Sequence, residues 1–284
     1  MNAYIPHSWL AAGGILAVAL LILALGRMSL WLPHMRLTRG ILWVVALTSI
    51  AMGNHVLWEE EPGVRMVGLI GLGLASMKGL VLLEERARGL PTPSFGRWLV
   101  FALAWPGMKA AAFAAPCRDS AGREALFTRG LLFLGLGTAF LGCARFTWNA
   151  SGSRWLATAW ALPGLSLILH FGLLNLLAGG WQRLGFGAES LFRAPLMSRT
   201  LSEFWGRRWN LAFRDMTATT IYSPTAALCG RNIGLAAAFG FSGLLHEMAI
   251  SLPVKAGYGQ PFADFILQGL LVALSPRAWV PRSL

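Results

Sequence analysis

Two ionisable residues, His246 and Glu247, lie inside an apolar stretch of the sequence, residues 232–253. Ionisable side chains are costly within a bilayer, and where they occur they usually mark a functional site. A neutral imidazole can accept a proton near pH 7, so His246 is a candidate general base. On a helix its face also carries Ser242 and Gly243, and this mostly small surface predicts that another helix or a substrate chain comes close to the imidazole.

A second polar stretch, residues 200–215, combines basic, aromatic and amide side chains. It begins with the T-x-x-E pattern of a helix-capping box. A single helix from this start would place Glu203, Arg207, Asn210 and Arg214 on one face, and it would pair Glu203 with Arg207. Tryptophans occupy the opposite face, which is typical of an amphipathic helix at a membrane interface. Simple anchoring at the interface is an equally good explanation of this pattern.

The composition of the chain is that of a membrane protein. Hydrophobic residues make up 56% of the 284 positions and charged residues only 13%, about half of the roughly 25% in soluble domains. Long continuous apolar runs predict an all-α, polytopic helical bundle, because helices pair every backbone group in lipid and the runs lack the alternation of barrel strands. Seven transmembrane spans are expected, at residues 9–26, 41–58, 64–83, 125–146, 155–178, 232–253 and 262–280.

The net charge of +12 comes mainly from basic residues that flank the apolar runs. This arrangement indicates an orienting role in the bilayer and contacts with membrane lipids, and no nucleic acid partner is expected. With the N-terminus outside the cell membrane (inner or plasma membrane), most basic residues fall inside, and the loop 179–231 is cytoplasmic. The first span is expected to be retained. The apolar segment 98–107 is too short to cross the membrane, and a re-entrant or interfacial segment is predicted there. The chain is expected to form a single membrane-embedded domain, residues 1–284, with its motif core at 200–253.

The two polar stretches resemble the wax-synthase-like branch of the membrane-bound O-acyltransferases. Residues 202–210 have the sequence SEFWGRRWN, and residues 241–247, some 35 positions later, have the sequence FSGLLHE. The order, the spacing and the Trp-Asn pair carry the resemblance. It implies the helical fold of that family and an enzyme, an acyltransferase. Such an enzyme moves an acyl group from acyl-CoA or another thioester to a hydroxyl acceptor such as a long-chain alcohol or other lipid. It implies acyl-CoA as co-substrate and no metal or redox cofactor.

The resemblance also implies roles for particular residues. His246 corresponds to the catalytic base and Asn210 to its partner, whose carboxamide is suited to stabilising a developing oxyanion. Arginines bind phosphates through paired hydrogen bonds, so those of the second stretch are expected to hold an anionic carrier. The residues expected to contact substrate or acyl-CoA are Trp205, Arg207, Arg208, Trp209, Arg214 and Ser242.

Two other functions are compatible with an intramembrane histidine, and two hydrolase functions are disfavoured. A proton-coupled transporter is one, although the spans contain almost no acidic residues for a relay. A catalytically inactive scaffold of the same fold is another. A zinc hydrolase is disfavoured, because the HExxH pattern that begins at His246 has Ile250 in place of its second histidine. A serine hydrolase built on Ser242 lacks the sharp nucleophile turn.

Three further ionisable residues in the spans carry separate expectations. Lys78 is expected to extend its amine toward the membrane interface. Glu247 is expected to pair with a basic residue of a neighbouring segment. His170 is expected to be a hydrogen-bonded structural histidine, with a substrate contact as the alternative.

Overall fold

The computed structural model describes residues 3–116 and 121–275. Within these ranges the regular structure is helical. The α-helices are α1 (Trp9–Met28), α2 (Met35–Val56), α3 (Pro62–Ala87), α4 (Phe95–Ala104), α5 (Ala121–Ser151), α6 (Arg154–Ser166), α7 (Leu174–Arg183), α8 (Leu201–Glu203), α9 (Leu211–Thr217), α10 (Ser223–Cys229), α11 (Arg231–His246), α12 (Leu252–Val254) and α13 (Gln260–Leu274).

Six helical runs in the described part of the chain are long and apolar enough to cross a bilayer. They are Trp9–Trp31, Met35–Val56, Pro62–Ala87, Glu124–Ser151, Arg154–Arg183 and Arg231–Val254. They match the first six predicted spans in order, which confirms the all-α polytopic fold. The helix at the predicted seventh span is α13, with 15 residues, and positions 276–280 of that span lie outside the described residues.

Helix α4 occupies the segment predicted to be too short to cross the membrane. Its ten residues rise by about 15 Å, half of the roughly 30 Å hydrocarbon core, so the prediction of its short length is confirmed. It ends before Trp105, whose extended backbone and the following proline stop the helix.

The chain divides into two compact units. The first comprises residues 1–111, 200–202 and 212–284. In it, helices α1 and α3 approach closely at Gly26 and Gly79, where a Cβ added to Gly26 would lie 2.6 Å from the Cα of Gly79. Glycine at a crossing allows two helix backbones to touch, as is common for helices packed in membranes.

The second unit comprises residues 112–199 and 203–211. Helix α5 packs against α6 and its continuation in the opposite direction, and glycines again mark the contact. A Cβ on Gly137 would lie 2.7 Å from the carbonyl oxygen of Gly164, and one on Gly130 would lie 3.1 Å from that of Gly172.

Lys78 corrects one prediction. Its side chain does not extend to the interface but is 2% exposed, within the first unit. The ammonium group donates to the carbonyl oxygens of Phe101, Trp105 and Gly107 at 2.8, 2.6 and 2.6 Å, and it lies 3.6 Å from the centre of the Phe101 ring. The Phe101 carbonyl belongs to the last turn of α4, where carbonyls lack partners within the helix and a cation is favoured.

Four helical segments in the described part of the chain are wound as π-helix: π1 (Leu167–Leu173), π2 (Phe204–Arg208), π3 (Ala218–Tyr222) and π4 (Glu247–Ser251). Such turns are rare and frequently occur at functional sites. His170 lies within π1, Arg207 and Arg208 lie within π2, and His246 immediately precedes π4. Three of these four π segments therefore contain or adjoin residues that the sequence predicts to be functional.

Candidate functional site

His246 is the last residue of α11, and its ring is fixed by its own helix. The Nδ1 atom lies 2.7 Å from the carbonyl oxygen of Ser242. A carbonyl can only accept, so Nδ1 carries the hydrogen of the neutral ring. The lone pair then belongs to Nε2, and this atom of His246 can accept a proton from a reacting group.

Two aromatic rings of the first unit flank this imidazole. The centre of the His246 ring lies 4.2 Å from that of Phe265 on α13 and 5.4 Å from that of Phe213 on α9. Helix α13 can come this close because Gly243 faces it: an added Cβ would lie 3.0 Å from the Cα of Phe262. The prediction that another helix approaches the small face around His246 is confirmed.

Glu247 makes a different contact from the one predicted. Its carboxylate accepts the backbone N–H of Phe262 at 3.1 Å, near the start of α13, and the prediction that it pairs with a basic residue is wrong. A carboxylate at the first turn of a helix satisfies a backbone donor and interacts favourably with the helix dipole. Glu247 therefore ties the end of α11 to α13, next to the imidazole.

The Ser242 hydroxyl is occupied within its own helix, where it donates to the carbonyl oxygen of Ala238 at 2.8 Å. The residue is buried. Its carbonyl group, rather than its side chain, positions His246. The predicted substrate contact of Ser242 stays a prediction.

The stretch that begins at Thr200 is not one continuous helix. After α8 the chain forms π2, leaves the helix at Trp209 and Asn210, and resumes with α9. Glu203 pairs with Arg208 at 2.7 Å, so the predicted pairing with Arg207 is wrong. In a π turn, bonds join residues five apart, and the N–H of Trp209 accordingly donates to the carbonyl of Phe204.

Glu203 also caps this segment. Its carboxylate accepts the backbone N–H of Arg199 at 2.9 Å, one residue earlier than the capping box predicts. This N–H bond, and then the hydrogen bond from Arg208, lower the pKa of Glu203 below its usual range, because both stabilise the charged form. Glu203 is therefore ionised at neutral pH and holds the turn together.

Asn210 has a left-handed backbone, with φ of 40°. Asparagine accepts this conformation more readily than most other residues. The N–H of Leu211 donates to Leu191 at 2.9 Å, and the N–H of Arg193 donates to the carbonyl of Arg208 at 2.8 Å. These bonds hold the break between π2 and α9 against residues 191–193.

The predicted binding residues fall in both units. Arg214, Ser242 and His246 belong to the first unit, and residues 203–211 belong to the second. Arg207 is exposed, whereas Arg214 contacts the neighbouring carboxylate of Asp215 at 3.1 Å. With the helix interrupted at Asn210, these arginines do not form the single helical strip that the sequence predicts.

Trp209 belongs to an aromatic cluster in the second unit. Its ring stacks on Phe204, with centroids 5.4 Å apart and planes at 13°, and meets the edge of Phe192 at 5.0 Å. His170 lies 5.7 Å from Trp209 and 4.7 Å from Phe192. Its Nδ1 is 3.1 Å from the Ser166 hydroxyl, which confirms that His170 is hydrogen-bonded and leaves a substrate contact untested.

A cavity of about 970 Å³ lies in the second unit beside this cluster. Arg208 and Trp209 line it, as does Ser166. Its volume is near the upper end of the range of small-molecule sites, roughly 300–1,000 Å³. Sequence reasoning missed most of the lining because it comes from α5, α6 and the segment 190–197, which share no sequence motif.

Comparison with known proteins places the family similarity in the C-terminal half of the chain. Residues 188–266 match the Membrane bound O-acyl transferase family, and this range includes both polar stretches. The Long-chain-alcohol O-fatty-acyltransferase of Simmondsia chinensis is 36% identical over 100 residues, covering 32% of this chain and 28% of that protein.

Two proteins of Arabidopsis thaliana give similar matches. Probable long-chain-alcohol O-fatty-acyltransferase 7 is 32% identical over 112 residues, or 35% of this chain and 33% of the relative. Acyl-CoA--sterol O-acyltransferase 1 is 39% identical over 67 residues, or 21% and 19% of the two chains. The matches thus span about a third or less of the relatives' own length.

Proposed function

We propose, from the match of residues 188–266 to the membrane-bound O-acyltransferase family, that this integral membrane protein is an O-acyltransferase. Its donor is an acyl thioester, with acyl-CoA as the expected form, and its acceptor is a lipid hydroxyl. Relatives named for long-chain alcohols and for a sterol support this acceptor class. The observation that carries the proposal is the Nδ1 bond of His246, which leaves Nε2 as a base.

The reaction moves one proton from the acceptor hydroxyl to the leaving thiolate, while a C–O bond replaces the C–S bond of the thioester. Nε2 of His246 takes the proton of the acceptor hydroxyl while that oxygen attacks the thioester carbon. The C–S bond then breaks, and the imidazolium returns the proton to the leaving thiolate. The carbonyl oxygen carries negative charge in between, and the carboxamide of Asn210 is proposed as its hydrogen-bond donor.

The apolar surroundings of His246 favour transfer over hydrolysis. Phe213 and Phe265 flank the ring, and an apolar environment limits access of water. This condition is needed for an alcohol, rather than water, to accept the acyl group.

The carrier part of the donor is proposed to meet the arginines of residues 207–214 from the cytoplasm. This assignment supposes a cell membrane with the N-terminus outside and the loop 179–231 inside. The exposed Arg207 is free to meet a phosphate, and guanidinium groups suit phosphate geometry. Trp205 and Trp209 are proposed to contact the same donor.

The test is transfer by purified protein from labelled acyl-CoA to a panel of alcohols, followed by mass spectrometry. His246→Ala should lower the rate by about 10²–10⁴-fold, the contribution of a positioned base. His170→Ala, which removes the other histidine within or beside a π segment, is the matched control. We expect it to have a much smaller effect on transfer.

Asn210 is best tested with glycine, because glycine accepts its left-handed backbone. Asn210→Gly removes the carboxamide and should lower the rate by about 10²–10³-fold.

Near-normal transfer by a folded His246→Ala protein would refute the proposed base. Proton flux in proteoliposomes without any transfer would favour a transporter instead.

A further inference from the structure

The cavity of the second unit has a polar end and an apolar end. Its polar lining includes Asn175 and Ser190, and the Ser190 hydroxyl donates to the Asn175 side-chain oxygen at 2.8 Å. Gly130 of α5 contacts the backbone of Gly172, so Arg129 on the same turn lies at the level of Asn175. The polar groups therefore gather near the start of α5.

The opposite end is formed by apolar residues further along α5 and nearer the start of α6. Phe140 and Pro163 line it, and the Phe140 ring packs at 5.3 Å against Trp160 of α6. From Arg129 to Phe140 the helix rises by about 16 Å. This length equals about half of the roughly 30 Å hydrocarbon core, which is the depth that one lipid tail fills.

The charge at the polar end is positive. Arg129, Arg193 and Arg208 line the cavity, and no aspartate or glutamate is among its described lining residues. Arg193 pairs with Glu189 and Arg208 with Glu203. Each pair is neutral overall.

Arg129 is the third arginine of the cavity lining, and it differs from Arg193 and Arg208 in having no such pair among the described residues. Among the residues that the structure describes, its guanidinium has no hydrogen-bond or ion-pair partner. An arginine without a counterion among the described residues, beside an apolar cavity of one tail's length, is complementary to a chain that ends in an anion.

We propose that this cavity binds a single-chain amphiphile with an anionic head group, with the chain toward Phe140 and the head group on Arg129. Fatty acid carboxylates and the phosphates of acyl-CoA share this chemistry. The inference concerns binding alone and does not require His246 to act. The cavity shares Arg208 and Trp209 with the proposed donor site, so where acyl-CoA is the ligand the inference rests on the proposed function.

The test is equilibrium binding of radiolabelled palmitate and hexadecanol to the full chain in phosphatidylcholine nanodiscs. The two probes have the same chain length and differ in head-group charge. Palmitate is expected to bind at least about tenfold more tightly, the effect of one charge-assisted contact. Arg129→Leu should abolish this difference, and Arg129→Lys should retain part of it because the charge remains.

Arg145→Leu is the matched control on the same helix, because Arg145 is exposed and is not part of the cavity lining. It should leave the binding of both probes unchanged. Leu167→Trp places a larger side chain in the cavity and should weaken both probes equally. Equal affinity for palmitate and hexadecanol in the unsubstituted protein would overturn the proposal, as would unchanged palmitate binding in both Arg129→Leu and Leu167→Trp.

Competition identifies the source of the ligand. Displacement of labelled palmitate by palmitoyl-CoA would support the proposal with the acyl donor as ligand. If palmitoyl-CoA does not displace labelled palmitate, the result would support the proposal with a free fatty acid as ligand. The His246→Ala protein should bind palmitate normally. Separately, absence of transfer by the unsubstituted protein with intact palmitate binding would contradict the proposed function and leave this inference standing.

Discussion

Replacing Lys78 with methionine should destabilise the first unit by a predictable amount. The substitution keeps most of the side-chain volume but removes three charge-assisted hydrogen bonds to Phe101, Trp105 and Gly107, each worth about 1.5–3 kcal/mol. It also relieves the cost of burying an ammonium ion, which is several kcal/mol.

The balance follows from what the substitution leaves behind. Removing one partner of a buried charged contact costs about 3–5 kcal/mol. The lower end applies to Lys78→Met, because three carbonyl dipoles rather than a full opposite charge lose their partner. A loss of about 3 kcal/mol corresponds to a fall of about 6–12 °C in the unfolding temperature at 2–4 °C per kcal/mol.

Lys255 provides a matched control. It too donates to a backbone carbonyl, that of Trp58, at 2.8 Å, and lies 4.0 Å from the centre of the Trp58 ring. It is exposed, so water replaces its contacts, and Lys255→Met should cost no more than about 1 kcal/mol. The assay is thermal unfolding of both variants in one detergent. Equal shifts for Lys78→Met and Lys255→Met would refute the argument that burial makes the Lys78 contacts strong.

Two further outcomes are expected. Gly243→Ala should lower the unfolding temperature because its Cβ would lie 3.0 Å from the Cα of Phe262. Gly240→Ala should raise it by the helix propensity of alanine, up to about 1 kcal/mol, since the nearest atom there is 4.0 Å away; thermal unfolding that shows the same sign for both would contradict this. Because the pKa of Glu203 is lowered in the folded protein, its ionised carboxylate stabilises residues 199–209 at pH values above the usual pKa of glutamate. This contribution to stability is lost as the pH falls through the lowered pKa. Hydrogen exchange, corrected for its intrinsic pH dependence, should show this loosening in acid, and Glu203→Gln should abolish the pH effect.

Local sequence features predicted the spans, because length and hydropathy decide whether a helix can cross a membrane. They failed for Lys78 because its three partners lie 23 to 29 positions later in the sequence. The residues next to Lys78 do not show which distant segment it contacts. They also failed for the Glu203 pair, since a period of 100° per residue does not describe a π turn. The assignment of His246 and Asn210 as a catalytic pair stays a prediction.

The cavity shows a second limit of sequence reasoning. Residues of α5 and π1 that face it, such as Phe133 and Leu167, have the same apolar character as residues that face lipid. Hydropathy alone cannot separate these two surroundings. The sequence shows Arg129 only as a basic residue near the start of a predicted span, whereas the packing of α5 places it at the cavity.

The π4 turn after His246 has a consequence for the tolerance of the chain to length changes. Its bonds reach one residue further than those of a regular helix, so it accommodates an extra residue. Deleting one position within 247–251 should restore ordinary helical phasing rather than sever the helix. A deletion within α11, which has no extra residue to lose, would instead turn the residues that follow by about 100°. Comparing the two deletions would show how strictly the direction of α12 is required.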